Sequence, residues 1–203
     1  MMYIDAFNMF LIAMAVTAVI VFVALQYVEA GYGMMYTKKW GTTVNNRIGW
    51  VLMEAPVFVV MTILWWYSSR RTETAPLVMF LLFQLHYFQR SFIFPLLIRT
   101  KGRMPLSIIV MGVIFNVLNA FMQGGWIFYI SAANRYPASW LLSPQFIIGI
   151  LIFFAGMGIN IHSDAVIRDL RQPGDTRHYL PRKGMFRYVT SANYLGEFIE
   201  WTG

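Results

Sequence analysis

No cysteine occurs anywhere in the 203 residues, so disulfides, thiolate metal sites and cysteine nucleophiles are all excluded. Charge is scarce as well. Asp, Glu, Lys and Arg together make up 12% of the chain, about half of what soluble domains carry. Acidic groups are the scarcer kind, nine against sixteen basic ones. The three histidines, His86, His162 and His178, have no carboxylate partners at metal-ligand spacing, so no metal is expected. No glycine-rich loop follows a strand, which excludes Walker and Rossmann phosphate sites. Internal repeats and low-complexity tracts are likewise missing.

What is present is apolar: 58% of residues are hydrophobic or aromatic, too many for a chain of this size to hide from water. Five segments reach the length of about 20 residues that a membrane-spanning helix needs. They are 7–28, 48–67, 76–97, 105–130 and 144–162, and a sixth, 188–203, begins but does not finish. The first lacks a preceding basic residue and a cleavage site, and is expected to be a retained helix rather than a signal peptide. Pro76, Pro105 and Pro144 stand where helices start, and Pro56 and Pro95 are expected to kink them. The fold expected is therefore all-α, a multi-pass transmembrane bundle forming one domain over residues 1–203.

The net charge of +7 could suggest nucleic acid, but its distribution points to the bilayer. Twelve of the sixteen basic residues fall in the first and third connections and in the stretch after the fifth segment. By the positive-inside rule those regions face the cytoplasm and the N-terminus lies outside. A basic cytoplasmic face suits anionic lipid or an anionic cofactor. Asn160, Asp164, Arg168 and Arg171 keep helical steps, so a polar face is expected to continue the fifth helix.

Polar groups inside the apolar segments are the candidate functional residues. Glu54 lies in the middle of the second, where a charged carboxylate costs on the order of 2.5 kcal/mol or more. A protonated carboxyl there could donate to a substrate oxygen; pairing with a neighbour such as Arg90 is the structural alternative. Tyr87 and Arg90 share a face one turn apart in the third segment, a phenol that can polarise a carbonyl and a guanidinium that can hold phosphate. Asn160, Asp164, Arg168 and Arg171 could serve ribose, carboxamide and phosphates, or simply be a solvated helix face. Asn193, Glu197 and Trp201 are spaced i, i+4, i+8 on one face, and Glu197 and Glu200 are again costly in a span unless employed.

These strings resemble a known family. Asn-Ile-His-Ser-Asp with Ile-Arg-Asp-Leu-Arg (160–171), Pro-Gly-Asp (173–175), and Pro-Arg-Lys-Gly-Met-Phe-Arg-Tyr-Val-Thr-Ser-Ala-Asn-Tyr-Leu-Gly-Glu-Phe-Ile-Glu-Trp (181–201) look like the steroid 5-alpha-reductases. Met-Glu-Ala-Pro (53–56) and His-Tyr-Phe-Gln-Arg-Ser-Phe (86–92) do so too, in the family's order, with Met53 where members often have Gln. The resemblance implies a seven-helix membrane oxidoreductase, here C-terminally truncated with five helices and part of a sixth. It implies reduction of the 4,5 double bond of 3-oxo-4-ene steroids by hydride transfer from NADPH to C5. By position, Glu54 and Tyr87 would bind the 3-keto oxygen as catalytic groups. Arg90, Arg103, Asn160, Asp164, Arg171, Asn193 and Glu197 would surround NADPH, and Trp201 would line the substrate cavity.

The expected partners are a steroid or other apolar enone and the lipid bilayer, with no nucleic acid and no metal. The expected setting is a bacterial inner membrane, or the endoplasmic reticulum of a eukaryote, with the cofactor on the cytoplasmic side. Three alternatives stay open: a reductase of a non-steroid enone, enal or enoyl thioester, a membrane methyltransferase using S-adenosylmethionine, and a non-enzymatic helical scaffold.

Overall fold

A computed structural model describes residues 2–29, 31, 37–99, 102–170 and 179–203. Five of its helices are long and apolar enough to cross a membrane: Tyr3–Ala24, Asn46–Tyr67, Thr74–Leu97, Leu106–Ile130 and Pro144–Asp169. The chain is a multi-pass helical membrane protein, and the expected spans are present with shifted ends. The first, α1 (Met2–Ala24), starts earlier than the apolar run because the residues before it, Asp5 among them, continue the same turns. The fifth runs on to Asp169, so the polar face expected beyond it is indeed helical. The sixth segment is helical only over α7 (Ala192–Thr202). A 3-10 turn, Gly184–Arg187, precedes it, with Gly184 at a φ of +58°.

One feature is not helical. β1 (Thr43–Asn45) pairs antiparallel with β2 (Arg103–Pro105), Thr43 opposite Pro105 and Asn45 opposite Arg103. Each strand feeds directly into a long helix, α2 (Asn46–Tyr67) and α5 (Leu106–Gly125) respectively. The pair therefore holds the entrances of these two helices side by side.

The described residues form two compact units. In the first, α2 packs along α5, and α3 (Thr74–Phe88) packs on α2. Added Cβ atoms at Gly112 and Gly124 would strike Met53 and Met61 respectively. These paired contacts advance together along both chains, so α2 and α5 run in the same direction. Glycine here makes room on α5 for the methionine side chains of α2, where packing has to hold the helices together. The core between the three helices contains Val57, Met61, Phe80, Phe83, Tyr87, Ala120 and Phe128, with Trp65 stacked on Phe80 at 4.6 Å. Gln84 ties α3 to α2 by donating to Thr62 Oγ1 (2.6 Å) and to the Phe58 carbonyl (3.1 Å). At the far ends of these helices Arg70 is buried. Its Nη1 donates to Ser131 Oγ (2.6 Å), its Nε pairs with Glu73 (3.1 Å), and Ser68 Oγ reaches the Phe128 carbonyl. The α1 span has none of its residues buried, as expected of a helix whose solvent is lipid.

Two wide turns interrupt the helices. Gln89–Ile93 and Trp126–Ile130 are π-helical, closed by bonds from Phe94 N to Gln89 O and from Ser131 N to Trp126 O. The first sits directly before α4 (Phe94–Leu97), which carries Pro95. An α-helical register would press the proline ring on the Ser91 carbonyl, and the extra residue in the turn relieves that clash.

The second unit centres on α6 (Pro144–Asp169) and α7, which run antiparallel. Ser143 caps α6 through Oγ, which accepts from Phe146 N at 3.2 Å, and Pro144 occupies the first turn. Small residues face each other across the pair. A Cβ on Gly149 would meet the Gly203 carbonyl at 2.7 Å, one on Gly156 the Glu200 Cα at 2.6 Å, and one on Gly196 the Asn160 Cα at 2.7 Å.

Candidate functional site

In the first unit, Glu54 sits in the middle of α2 with only 9% of its surface exposed. It meets α5 through Asn116, whose Nδ2 donates to Glu54 Oε2 (3.1 Å) and to the Met53 carbonyl (2.8 Å). Tyr87, near the end of α3, is equally buried, and its hydroxyl accepts from Asn119 Nδ2 at 2.7 Å. Asn116 and Asn119 are three apart and share a face of α5. The fold thus brings a carboxyl and a phenol from two different helices onto one stripe of a third. Phe83 and His86 wall in the Tyr87 ring, each with centroids 4.7 Å away.

Arg90 lies one turn beyond Tyr87, inside the first π turn and buried. Its guanidinium carbon is 4.7 Å from the ring centres of both Trp50 and Phe94, which themselves meet edge-on at 5.1 Å. The cation is clasped by aromatic faces, a favourable arrangement where water is scarce. Arg103 is placed otherwise. It is exposed on β2 and spends two donors on Thr43, at Oγ1 and at the carbonyl, both 2.7 Å.

In the second unit, Asn160 and Asp164 lie one turn apart on α6, both buried. Asn160 Nδ2 donates to the Asn193 carbonyl on α7 (3.0 Å), and Glu197 follows Asn193 one turn later, half-buried. Trp201 is 43% exposed at the last turn of α7. Ser163 Oγ, between Asn160 and Asp164, is buried without a hydrogen-bond partner among the described residues. A cavity of about 380 Å³ lies at this end of α6, lined by His162, Asp169, Arg182 and Lys183 among others. Arg171 lies outside the described residues. No metal-binding group of His, Asp or Glu occurs among them.

Sequence reasoning missed three residues of these sites: Asn116, Asn119 and Trp50. A signal existed for the first two, a pair of amides three apart in the middle of a span without charge.

A sequence model of the family described as 3-oxo-5-alpha-steroid 4-dehydrogenase matches residues 102–203. A mouse 3-oxo-5-alpha-steroid 4-dehydrogenase 1 is 39% identical over 195 residues, covering 92% of this chain and 72% of the relative. The human protein of the same name is 37% identical, covering 90% and 70%. The tomato steroid 5-alpha-reductase DET2 is 36% identical, covering 98% and 77%. The chain belongs to this family. A membrane-embedded oxidoreductase of CH–CH bonds follows from that membership, and the reductase reading is selected over the methyltransferase and scaffold readings. Arg103 and the 160–201 block lie inside the region matched by the family model, while Glu54, Tyr87 and Arg90 fall within the longer stretch shared with the relatives.

Proposed function

We propose that the chain reduces the 4,5 double bond of a 3-oxo-4-ene steroid, with Glu54 and Tyr87 hydrogen-bonding the 3-keto oxygen. One observation supports this reading: a carboxyl and a phenol, buried in two membrane spans, are each hydrogen-bonded by an amide of the same third helix. Addition of hydride at C5 drives the π electrons of the enone onto the 3-oxygen, and a proton then completes the bond at C4. Negative charge at that oxygen is larger in the transition state than in the substrate, so donors aimed at it accelerate the step. A bilayer-embedded cavity strengthens such bonds through its low dielectric and admits an apolar substrate from the lipid.

The hydride would come from NADPH. The second unit's donor set fits that group: amides and carboxyls at Asn160, Asp164, Asn193 and Glu197 for ribose and carboxamide, a Ser163 hydroxyl without a partner among the described residues, and cationic Arg182 and Lys183 nearby for phosphates. Arg90 and Arg171 belong to the same proposed set, as does Arg103 through the donors it does not spend on Thr43. Trp201 is assigned to the substrate side. Both compact units are read as parts of one reductase domain in the plasma membrane of a bacterium or in the endoplasmic reticulum, with the N-terminus outside and the cofactor on the cytoplasmic face.

The test is direct. Membranes carrying the chain, supplied with NADPH and progesterone, should form the 5-alpha-dihydro product, detected by mass spectrometry. Glu54→Gln should slow its formation about 100-fold or more. Reduction of a polyprenal or enoyl thioester, with progesterone untouched, would move the substrate assignment to a non-steroid enone.

A further inference from the structure

We propose that Asn116 and Asn119 are positioning residues that fix the direction in which Glu54 and Tyr87 donate their protons. The inference rests on the reading of Glu54 and Tyr87 given above.

The argument starts from which atom of each amide faces its partner. Asn116 touches both Glu54 Oε2 and the Met53 carbonyl through the same nitrogen. A backbone carbonyl can only accept, so the amide is locked with its NH₂ toward Glu54. Glu54 Oε2 must then accept, and the carboxyl proton is left to Oε1, the other oxygen. Asn119 Nδ2 lies 2.7 Å from the Tyr87 hydroxyl. If that phenolic oxygen accepts from the amide, its own hydrogen serves a different acceptor. In both contacts the asparagine gives a hydrogen bond to the back of a group that must itself give one.

Two consequences follow. The O–H of each acid has a defined direction, where an unsupported carboxyl or phenol would sample several. Each O–H is also polarised, because an oxygen that accepts one hydrogen bond donates a stronger one. Both effects matter most when charge builds on the substrate oxygen. The asparagines are themselves 4% and 6% exposed, set three residues apart on a helix that is otherwise apolar where it faces the core. One rigid element therefore orients both donors, and a shift of α5 would move them together.

A pair that served only to satisfy buried polar groups would influence stability and leave the chemistry alone. Kinetics separates the two. NADPH-dependent reduction of progesterone should be followed in membranes carrying Asn119→Leu, Tyr87→Phe and the double variant. The single Asn119→Leu is expected to lower kcat roughly 10–100-fold, somewhat less than loss of a donor in direct contact, with the KM for progesterone within about threefold. The double variant is expected to be no more than about threefold slower than Tyr87→Phe, because Asn119 acts through Tyr87. Asn119→Asp keeps the shape but turns donor into acceptor, and is expected to lose at least as much as the leucine variant. Asn116→Leu should behave the same way against Glu54→Gln. Should a leucine variant fail to accumulate, the smaller Asn119→Ser and Asn116→Ser take its place, with progesterone binding followed by tryptophan fluorescence to show an intact site. Unchanged kcat in the asparagine variants beside an impaired Tyr87→Phe would overturn the pair and leave the proposed site standing. Losses that multiply in the double variants would also overturn it. Full activity in Tyr87→Phe and Glu54→Gln would overturn the site reading, and the pair with it.

Discussion

At the residue scale, the sequence marks out those side chains whose presence in a span is expensive. Glu54 and Arg90 are such residues, and Tyr87 joins them because it shares a face with Arg90 one turn away; all three lie buried in the first unit. If Glu54 and Tyr87 hold the substrate oxygen, Glu54→Gln and Tyr87→Phe should each lower kcat about 100-fold or more. A stopped-flow or product-formation assay at saturating progesterone would read this, and preserved kcat in either would remove that residue from the chemistry. Asn116, Asn119 and Trp50 were not legible in the same way. A neutral amide or an indole barely disturbs the hydropathy of a span, and its role depends on which residue of another helix it faces. Trp50 shows the point. It and Phe94 clasp Arg90 at 4.7 Å, a contact from α2 to the segment after α3 that no local spacing encodes. Trp50→Leu is expected to raise the KM for NADPH roughly fivefold, equivalent to about 1 kcal/mol, with kcat at saturating NADPH little changed. An unaltered KM would separate the aromatic clasp from cofactor binding.

At the element scale, hydropathy located every long helix, while helix ends and irregular turns escaped it. The reason differs from case to case. The first π turn arises from Pro95, and three-residue strands are too short to carry a period. The two glycines of the Gly156-Met157-Gly158 string differ in what they do. Gly156 lies against the backbone of Glu200, whereas a Cβ on Gly158 would meet nothing within 4 Å. The complementary glycine, Gly196, abuts the Asn160 backbone, beside the Asn160–Asn193 hydrogen bond. Gly196→Ala must therefore push α6 and α7 apart, costing about 1–3 kcal/mol as an overpacked contact. For a chain of this length that lowers the thermal midpoint by roughly 3–10 °C. Gly158→Ala, the matched control on the same helix, should not lower the midpoint and should raise it slightly through helix propensity. A midpoint raised equally by both substitutions would mean that the glycines act through helix propensity, not through the close approach.

At the scale of the whole molecule, two independent kinds of observation bear on how the chain is threaded through the membrane. The charge pattern places the first and third connections on one side. The β1–β2 pair supports the same grouping by tying residues 43–45 to residues 103–105. At the other ends of these helices, Arg70 joins Ser131 and Ser68 joins Phe128, which groups the second and fourth connections. Hydrogen bonds fix which connections share a side, and in the proposed orientation the side rich in Lys and Arg is the cytoplasmic one. The cysteine-free sequence makes this measurable, since a single introduced thiol is the only one in the chain. Thr72→Cys and Ala133→Cys, both at exposed positions, should react with a membrane-impermeant maleimide in intact cells. Lys39→Cys and Lys183→Cys should react only after permeabilisation. The reverse pattern would place the N-terminus inside and the basic connections away from cytoplasmic NADPH, which would undercut the cofactor assignment. Opposite behaviour of Thr72→Cys and Ala133→Cys would instead contradict the Arg70–Ser131 contact, because a hydrogen bond of 2.6 Å cannot join loops on opposite faces of a bilayer whose apolar core is about 30 Å thick.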